Sequence, residues 1–409
     1  MIFRVKNIFA AEMAILMLTA TQVSAFAKSD DVTPAEAVLQ LKDGEQISGG
    51  VYTAESDNQS VCEAGGDVTA TVSGTVFQKV SGDASSADAA SFRGINSCVR
   101  VSGNASISLL DCKILTEAKN ATGVFAYENG VIDIRDCTVT VTGGGAGGIQ
   151  VAGGGTLIGS NLTVISASKA AIRSDRGGGT IELDGGTYTS TGSNGCPAIY
   201  STADISVKNA ECVSTNSRAV IIEGKNSVTL ENCTLSGNDQ STKEGSVKAN
   251  VLLYQSASGD ASPGTSVFTM TEGEMTCNSG AMFYCTNTAS EIYLSDAKLV
   301  LSEDGTLLTV SAGRWGKDGR NGGDCKLSAT DQVLEGTIIV DSISELALSL
   351  ENSDYTGEIQ SEGRVDVFVG NGSTWTLTGD SAVSSVDGDL NGIDLNGYTL
   401  TVNGTVFEA

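Results

Sequence analysis

The 409-residue sequence carries 49 Asp and Glu against 24 Lys and Arg, a formal net charge of -25, and contains no His. Such a field makes nucleic acid and anionic lipid poor partners, and the missing imidazole removes every Ser-His or Cys-His dyad and every imidazole metal site. Its 40% hydrophobic content separates it from acidic disordered chains, and 50 Gly with only three Pro suit tight stacked turns.

Residues 1–27 read as a signal peptide. Arg4 and Lys6 precede an apolar run from Ile8 to Ala20, and Val23-Ser24-Ala25 or Ala25-Phe26-Ala27 offers a small-x-small cleavage site. The expected product is an exported chain with no transmembrane segment once the signal is removed. Residues 28–46 form an N-terminal leader or capping segment. Within it, Thr33-Pro34-Ala35-Glu36 has the residues of a capping box and is compatible with a helix to Leu41, or with a flexible leader.

From Ile47 the pattern turns to strands, and Val72-Ser73-Gly74-Thr75-Val76-Phe77 is the first clear instance of a repeating phrase. Gln78 to Ile95, rich in Ser, Ala, Asp and Gly, reads as a loop inserted into a turn. The phrase is apolar, any residue, Asp/Asn/Gly, small, any residue, apolar. It returns at Leu109-Leu110-Asp111-Cys112-Lys113-Ile114 and Ile134-Arg135-Asp136-Cys137-Thr138-Val139, and it ends this run at Leu230-Glu231-Asn232-Cys233-Thr234-Leu235. With Cys112, Cys137, Ser160, Gly186, Ala210 and Cys233 as markers, the steps are 25, 23, 26, 24 and 23 residues. A second phrase runs in phase: Gly123-Val124, Gly148-Ile149, Ala171-Ile172, Ala198-Ile199 and Ala219-Val220.

A fixed period of this kind marks stacked units, each too small to bury a hydrophobic face alone. At roughly 3.3 Å per extended residue, about 24 residues make one closed turn of backbone. No 3.6-residue period fills the gaps, so the reading is all-β: a parallel β-helix, a single elongated domain over 47–409. Further insertions fall near 237–266 and 311–325, and the alternating stretch from Trp375 to Val402 is expected to close the stack. Ten Cys in an exported chain suggest disulfides. Here Cys112, Cys137 and Cys233 share a slot with Ser, Gly and Ala, which points to buried thiols chosen for size; a pair such as Cys277 with Cys285 stays open.

The D-C and N-C phrases at 111–112, 136–137 and 232–233, and the ending WTLTGDSAVSSVDGDLNGIDLNGYTLTVNG, resemble right-handed parallel β-helix proteins of the pectin-lyase-like fold. Within it, the chain is most similar to exported bacterial repeat proteins of adhesin or autotransporter-passenger type. The resemblance covers roughly 47–409 and implies a right-handed coil, secreted or displayed on a bacterial surface. A C-terminal membrane barrel of the autotransporter kind is not visible. Enzymes of this fold use carboxylates with calcium and an Arg or Lys base, or Asp sets on adjacent turns. Asp133-Ile134-Arg135-Asp136 and Arg173-Ser174-Asp175-Arg176 have no second Asp in register, so no catalytic residue is assigned.

Stacking the second phrase suggests a strip along one side: Tyr127, Gln150, Arg173 with Arg176, Tyr200, Glu223 with Lys225, Tyr254 with Gln255, Tyr284, and Arg314 with Trp315. Aromatic rings beside planar donors suit sugars or protein side chains, which makes Arg173, Arg176, Tyr200, Tyr254, Arg314 and Trp315 the binding candidates. The same rows would also arise as structural Tyr ladders. No cofactor is required, although Asp318, Asn321 and Asp324 form a weak calcium candidate in a Gly-rich loop. Thr187-Tyr188-Thr189-Ser190-Thr191 resembles ice-binding rows, but Thr is an ordinary strand residue. The expected function is non-catalytic, adhesin-like binding of a glycan or cell-surface protein. A lyase or hydrolase acting on acidic polysaccharide, or a purely structural spacer, are the alternatives.

Overall fold

A computed structural model describes residues 32–193, 195–243 and 245–408. The expected signal peptide, residues 1–27, therefore lies outside the described residues. Each turn of the coil lays down three short strands, and each strand pairs in parallel with its counterpart one turn later. The first face is a 13-stranded sheet running from Leu39–Gln40 to Ile359–Ser361. The second carries Thr69–Ser73, Ser106–Leu110, Val131–Arg135 and their successors. The third carries Val76–Lys79, Lys113–Thr116, Thr138–Val141 and theirs. This is a parallel β-helix, as the period implies.

The second and third faces meet at a corner whose geometry explains the repeat. Asp111, Asp136, Asn161, Asn209 and Asn232 all stand there with φ between 51° and 53°, the left-handed region that Asn, Asp and Gly tolerate best. The residue after the corner turns inward, so Cys112, Cys137 and Cys233 are each about 1% exposed. The strand register corrects one turn of the sequence alignment. Gly159 pairs with Ile134 and Ser160 with Arg135, so Asn161 is the corner and Leu162, not Ser160, fills the inward slot. Gly159 makes room for it: a Cβ there would lie 2.9 Å from Leu162 Cδ1. The Ala-Ile and Gly-Ile phrases do align, with Val124, Ile149, Ile172, Ile199 and Val220 in one row of the first sheet. Gly148 in that phrase is required by packing, because a Cβ would lie 2.4 Å from Val164 Cγ1 and from Ala171 O.

Inward side chains form continuous rows. Ile107, Ile132, Leu157, Ile181, Ile205, Val228, Phe268 and Ile292 stack one above another, all buried. Burying each such side chain contributes roughly 1.5–3 kcal/mol, which no single turn obtains without its neighbours.

All ten cysteines carry free thiols, nine of them buried. Cys277 Sγ points at the carbonyls of Ser279, Gly280 and Ala281, so it does not meet Cys285. The nearest partner of Cys285 is Cys325, with the sulfurs 3.5 Å apart.

Three further expectations are corrected. Residues 33–41 are not helical: Ala35 bridges Gln59, and Leu39–Gln40 pairs with Cys62–Glu63. The exposed rung of the first full turn offers a row of acceptors, and Leu39 N and Leu41 N donate to Val61 O and Glu63 O at 2.8 and 2.9 Å. Those bonds outweigh a short local helix. Conversely, the 78–95 insertion does hold a helix, α1, Ala87–Arg93, capped by Ser86 accepting from Ala89 N and ended by Gly94 at φ 69°. Last, the antiparallel pair Leu400–Val402 and Thr405–Phe407 covers the final turn only in part. It leaves an apolar hollow of about 290 Å³ lined by Leu390, Ile393, Leu395, Leu400 and Phe407.

Candidate functional site

The insertions gather on the outer side of the 13-stranded sheet. Helix α1 is held there by Gln150 Nε2 and Lys169 Nζ, which donate to Ser91 O and Ser91 Oγ, both at 2.7 Å. Arg100 Nε donates to Arg93 O at 2.8 Å. Loop 255–264 is tied by the Arg176–Asp260 ion pair at 2.8 Å. Loop 238–248 is tied by Arg218, which pairs with Asp239 at 3.0 Å and donates to Val247 O at 2.8 Å. Loop 311–322 closes on Asn321, whose Nδ2 donates to Gly313 O and Trp315 O at 2.7 and 2.9 Å.

Between these loops lies a cleft of about 160 Å³ walled by Tyr200, Tyr254 and Trp315 and edged by Arg218, Lys243 and Arg314. Its aromatic floor is built from two outward rows of the sheet rather than the single row expected from sequence. Tyr200 stands in the row of Gln150, Arg173, Ile221, Leu252 and Tyr284. Tyr254 stands two residues on, paired with Glu223 and Thr286.

Glu223 joins the rows. Its Oε2 accepts from Tyr200 OH and, at 2.9 Å, from Tyr254 OH, while its Oε1 accepts from Ser256 Oγ and, at 3.3 Å, from Ser258 Oγ. A carboxylate with four hydroxyl donors is well compensated despite being buried. It fixes both Tyr rings and the start of loop 255–264. Burial, then the neighbouring Tyr254 and Glu223, push the Tyr200 hydroxyl well above its ordinary range, and burial does the same to Tyr254. Both phenols therefore stay neutral donors.

The rings continue outward. Trp315 lies 4.5 Å from Tyr254 between ring centroids, tilted by 52°. Arg314 sits 4.7 Å over the Trp315 ring, and Arg173 sits 4.5 Å over Tyr200. Of the six candidates, Tyr200, Tyr254, Arg314 and Trp315 line the cleft. Arg173 supports it from behind Tyr200 and is neutralised by Asp175 at 2.8 Å. Arg176 belongs elsewhere, under α1 with its guanidinium 3.9 Å over Phe92.

Within the rest of the strip, Tyr127 lies beneath Arg100, and Gln150 and Tyr284 are buried. The three calcium candidates do not converge on a cage. The Asn321 amide closes its own loop, Asp324 is exposed on the strand Asp324–Thr330, and Asp318 is exposed. Among the described residues no three His, Cys, Asp or Glu side chains gather to hold an ion.

Sequence reasoning missed Arg218 and Lys243. Arg218 immediately precedes the Ala219-Val220 phrase, a position held by Gly147 and Ala170 in other turns, and that exception was its signal. It is 5% exposed, and burial lowers its affinity for its proton while Asp239 opposes that. Its Nε has no hydrogen-bond partner. Lys243 sits in an insertion and carried no periodic signal.

The site thus belongs to an all-β solenoid with an aromatic and cationic cleft over one sheet. Compared with known families and curated proteins, the chain matches no family model and no curated protein. No helix among the described residues is long and apolar enough to cross a membrane.

Proposed function

We propose that this is an exported, adhesin-type β-helix protein that binds a saccharide in the cleft between Tyr200, Tyr254 and Trp315 and does not cleave it. The observation that carries the reading is the Tyr254–Trp315 pair, with centroids 4.5 Å apart, rising beside three cationic side chains in a recess. Rigid aromatic faces bind the apolar face of a sugar ring, and guanidinium and ammonium groups donate to its oxygens. The rings lose little entropy on binding, because Glu223 and the loop contacts already fix them.

Two features favour binding over catalysis. Tyr200 and Tyr254 are held protonated, so neither serves as a base near neutral pH. The Glu223 oxygens are occupied by four hydroxyls. Display on a bacterial surface accords with the N-terminal signal pattern and with the resemblance to adhesin-type repeats.

A glycan array probed with the full chain and with the Arg314→Ala/Trp315→Ala double variant tests this reading. The expected result is a small set of glycans retained by the wild type and lost by the variant, a drop of roughly 10–100-fold in affinity. Unchanged glycan binding by the variant contradicts the site. Capture of a protein in place of any glycan contradicts the ligand class.

A further inference from the structure

The saccharide reading leaves the ligand's charge open, and the lining of the cleft addresses it. The chain as a whole holds about two acidic residues for each basic one, 49 against 24. The described residues lining the cleft reverse that ratio: Arg218, Lys243 and Arg314 are cationic and none is a carboxylate. Two described acids bonded to lining residues are already committed. Asp239 pairs with Arg218 and accepts from Ser241 N at 2.8 Å and Ala249 N at 3.3 Å. Glu223 is turned to the hydroxyls of Tyr200 and Tyr254.

Arg218 is the unusual group. Its side chain is 6% exposed and that of Asp239 is 3% exposed, so the pair is buried, yet Arg218 Nε is left without a partner. Taking a guanidinium out of water and leaving one of its donors unmet is costly for folding alone. That Nε is sealed from solvent, so it is not the contact point; Arg218 nevertheless lines the cleft, and the planar fork of Arg matches carboxylate and sulfate. The cleft is also small. Its roughly 160 Å³ lies well under the approximately 300–1,000 Å³ of pockets for drug-sized ligands, so it admits one ring and not a run of them.

Resting on the saccharide reading, we propose that the cleft takes a single terminal sugar bearing an anionic group. The ring lies against Trp315 and Tyr254, and its carboxylate or sulfate faces Arg218, Lys243 and Arg314.

Isothermal titration of the full chain with glucuronate, glucose 6-sulfate and glucose at low and high salt tests this. At least one anionic sugar is expected to bind tenfold or more tighter than glucose, with the advantage shrinking as salt rises. The tighter of the two tells carboxylate from sulfate. The Lys243→Gln/Arg314→Gln variant changes only exposed side chains, so folding is not at issue, and it is expected to bring the anionic-to-neutral ratio towards one. If glucose binds as well as both anionic sugars, and Trp315→Ala abolishes that binding, the charge assignment falls while the saccharide reading stands. If none of the three binds, both fall.

Discussion

A lysine with no exposed surface stands on an inward position of the strand Val76–Lys79, two residues after the buried Phe77. Lys79 Nζ donates to Ser56 O at 2.6 Å. Burial lowers its pKa from 10.5 to about 8, with Cys98 and Asp57 pulling weakly the other way. Because the folded value lies below the unfolded one, the unfolded chain binds more protons between about pH 8 and 10.5. The penalty is complete below pH 8, roughly 3 kcal/mol at 1.36 kcal/mol per unit, and is relieved as pH rises. Cys98 acts in the opposite sense, since burial pushes its thiol up to about 12 and stability falls above pH 9.

Lys79→Met is therefore expected to raise stability against urea at pH 7 by about 1–3 kcal/mol, with the gap to wild type narrowing by roughly 1 kcal/mol between pH 8 and 9. A gap independent of pH would show that Lys79 keeps its charge without penalty. This lysine was invisible in the sequence, where Lys79 reads as part of the inserted loop from Gln78 to Ile95, although it ends the strand Val76–Lys79. Arg218 broke the small-residue pattern before Ala219-Val220, but its burial is made by an insertion 20 or more residues away, which no local period records.

At the level of the strand and corner, far more was legible. The Asp/Asn/Gly slot identified the corner because only residues that tolerate φ near +50° fit there, and the small slot followed from the inward turn of the next side chain. Alignment failed in one turn, where Gly159 and Ser160 mimic the phrase two residues early and Leu162 takes a place expected to be small. Side chains at and beside the corner also bond from turn to turn. Asn209 Nδ2 donates to Asp184 Oδ1 at 2.7 Å, and Asn232 Nδ2 donates to Asn209 Oδ1 at 2.9 Å.

Asn209→Val imposes a β-branched side chain on the left-handed region and removes both bonds. Thermal or urea unfolding is expected to show a loss of about 1–3 kcal/mol. Asn209→Gly, which loses the bonds but keeps the conformation free, is expected to cost roughly 1 kcal/mol or less. Equal losses from the two substitutions would mean that the side-chain ladder, not the backbone, sets the corner. Helix α1 was missed although Ser86, Arg93 and Gly94 supplied its cap, last-turn charge and stop, because a Ser- and Asp-rich insertion reads first as loop.

Across the whole molecule, regularity and function separate. Stacked rows of aliphatic side chains fix three faces, and the insertions around α1, 238–248, 255–264 and 311–322 collect over one of them. The periodic sequence placed Arg173, Tyr200 and Tyr254 on the same side because the register of a β-helix is set by its inward rows. It merged two outward rows into one, since a one-dimensional period cannot tell a residue from another two positions along the same strand. The stacked strip already included the loop residues Arg314 and Trp315, but the closeness of Trp315 to Tyr254 came only from the fold.

The chain has two Trp, of which Trp375 is fully buried in the core and Trp315 is half-buried at the cleft. Intrinsic tryptophan fluorescence therefore reports ligand through Trp315. Titration with the glycan retained most strongly on the array is predicted to give a saturable change in wild type and none in Trp315→Ala. A saturable change that persists in Trp315→Ala, or its absence in wild type with every retained glycan, would contradict saccharide binding at this cleft.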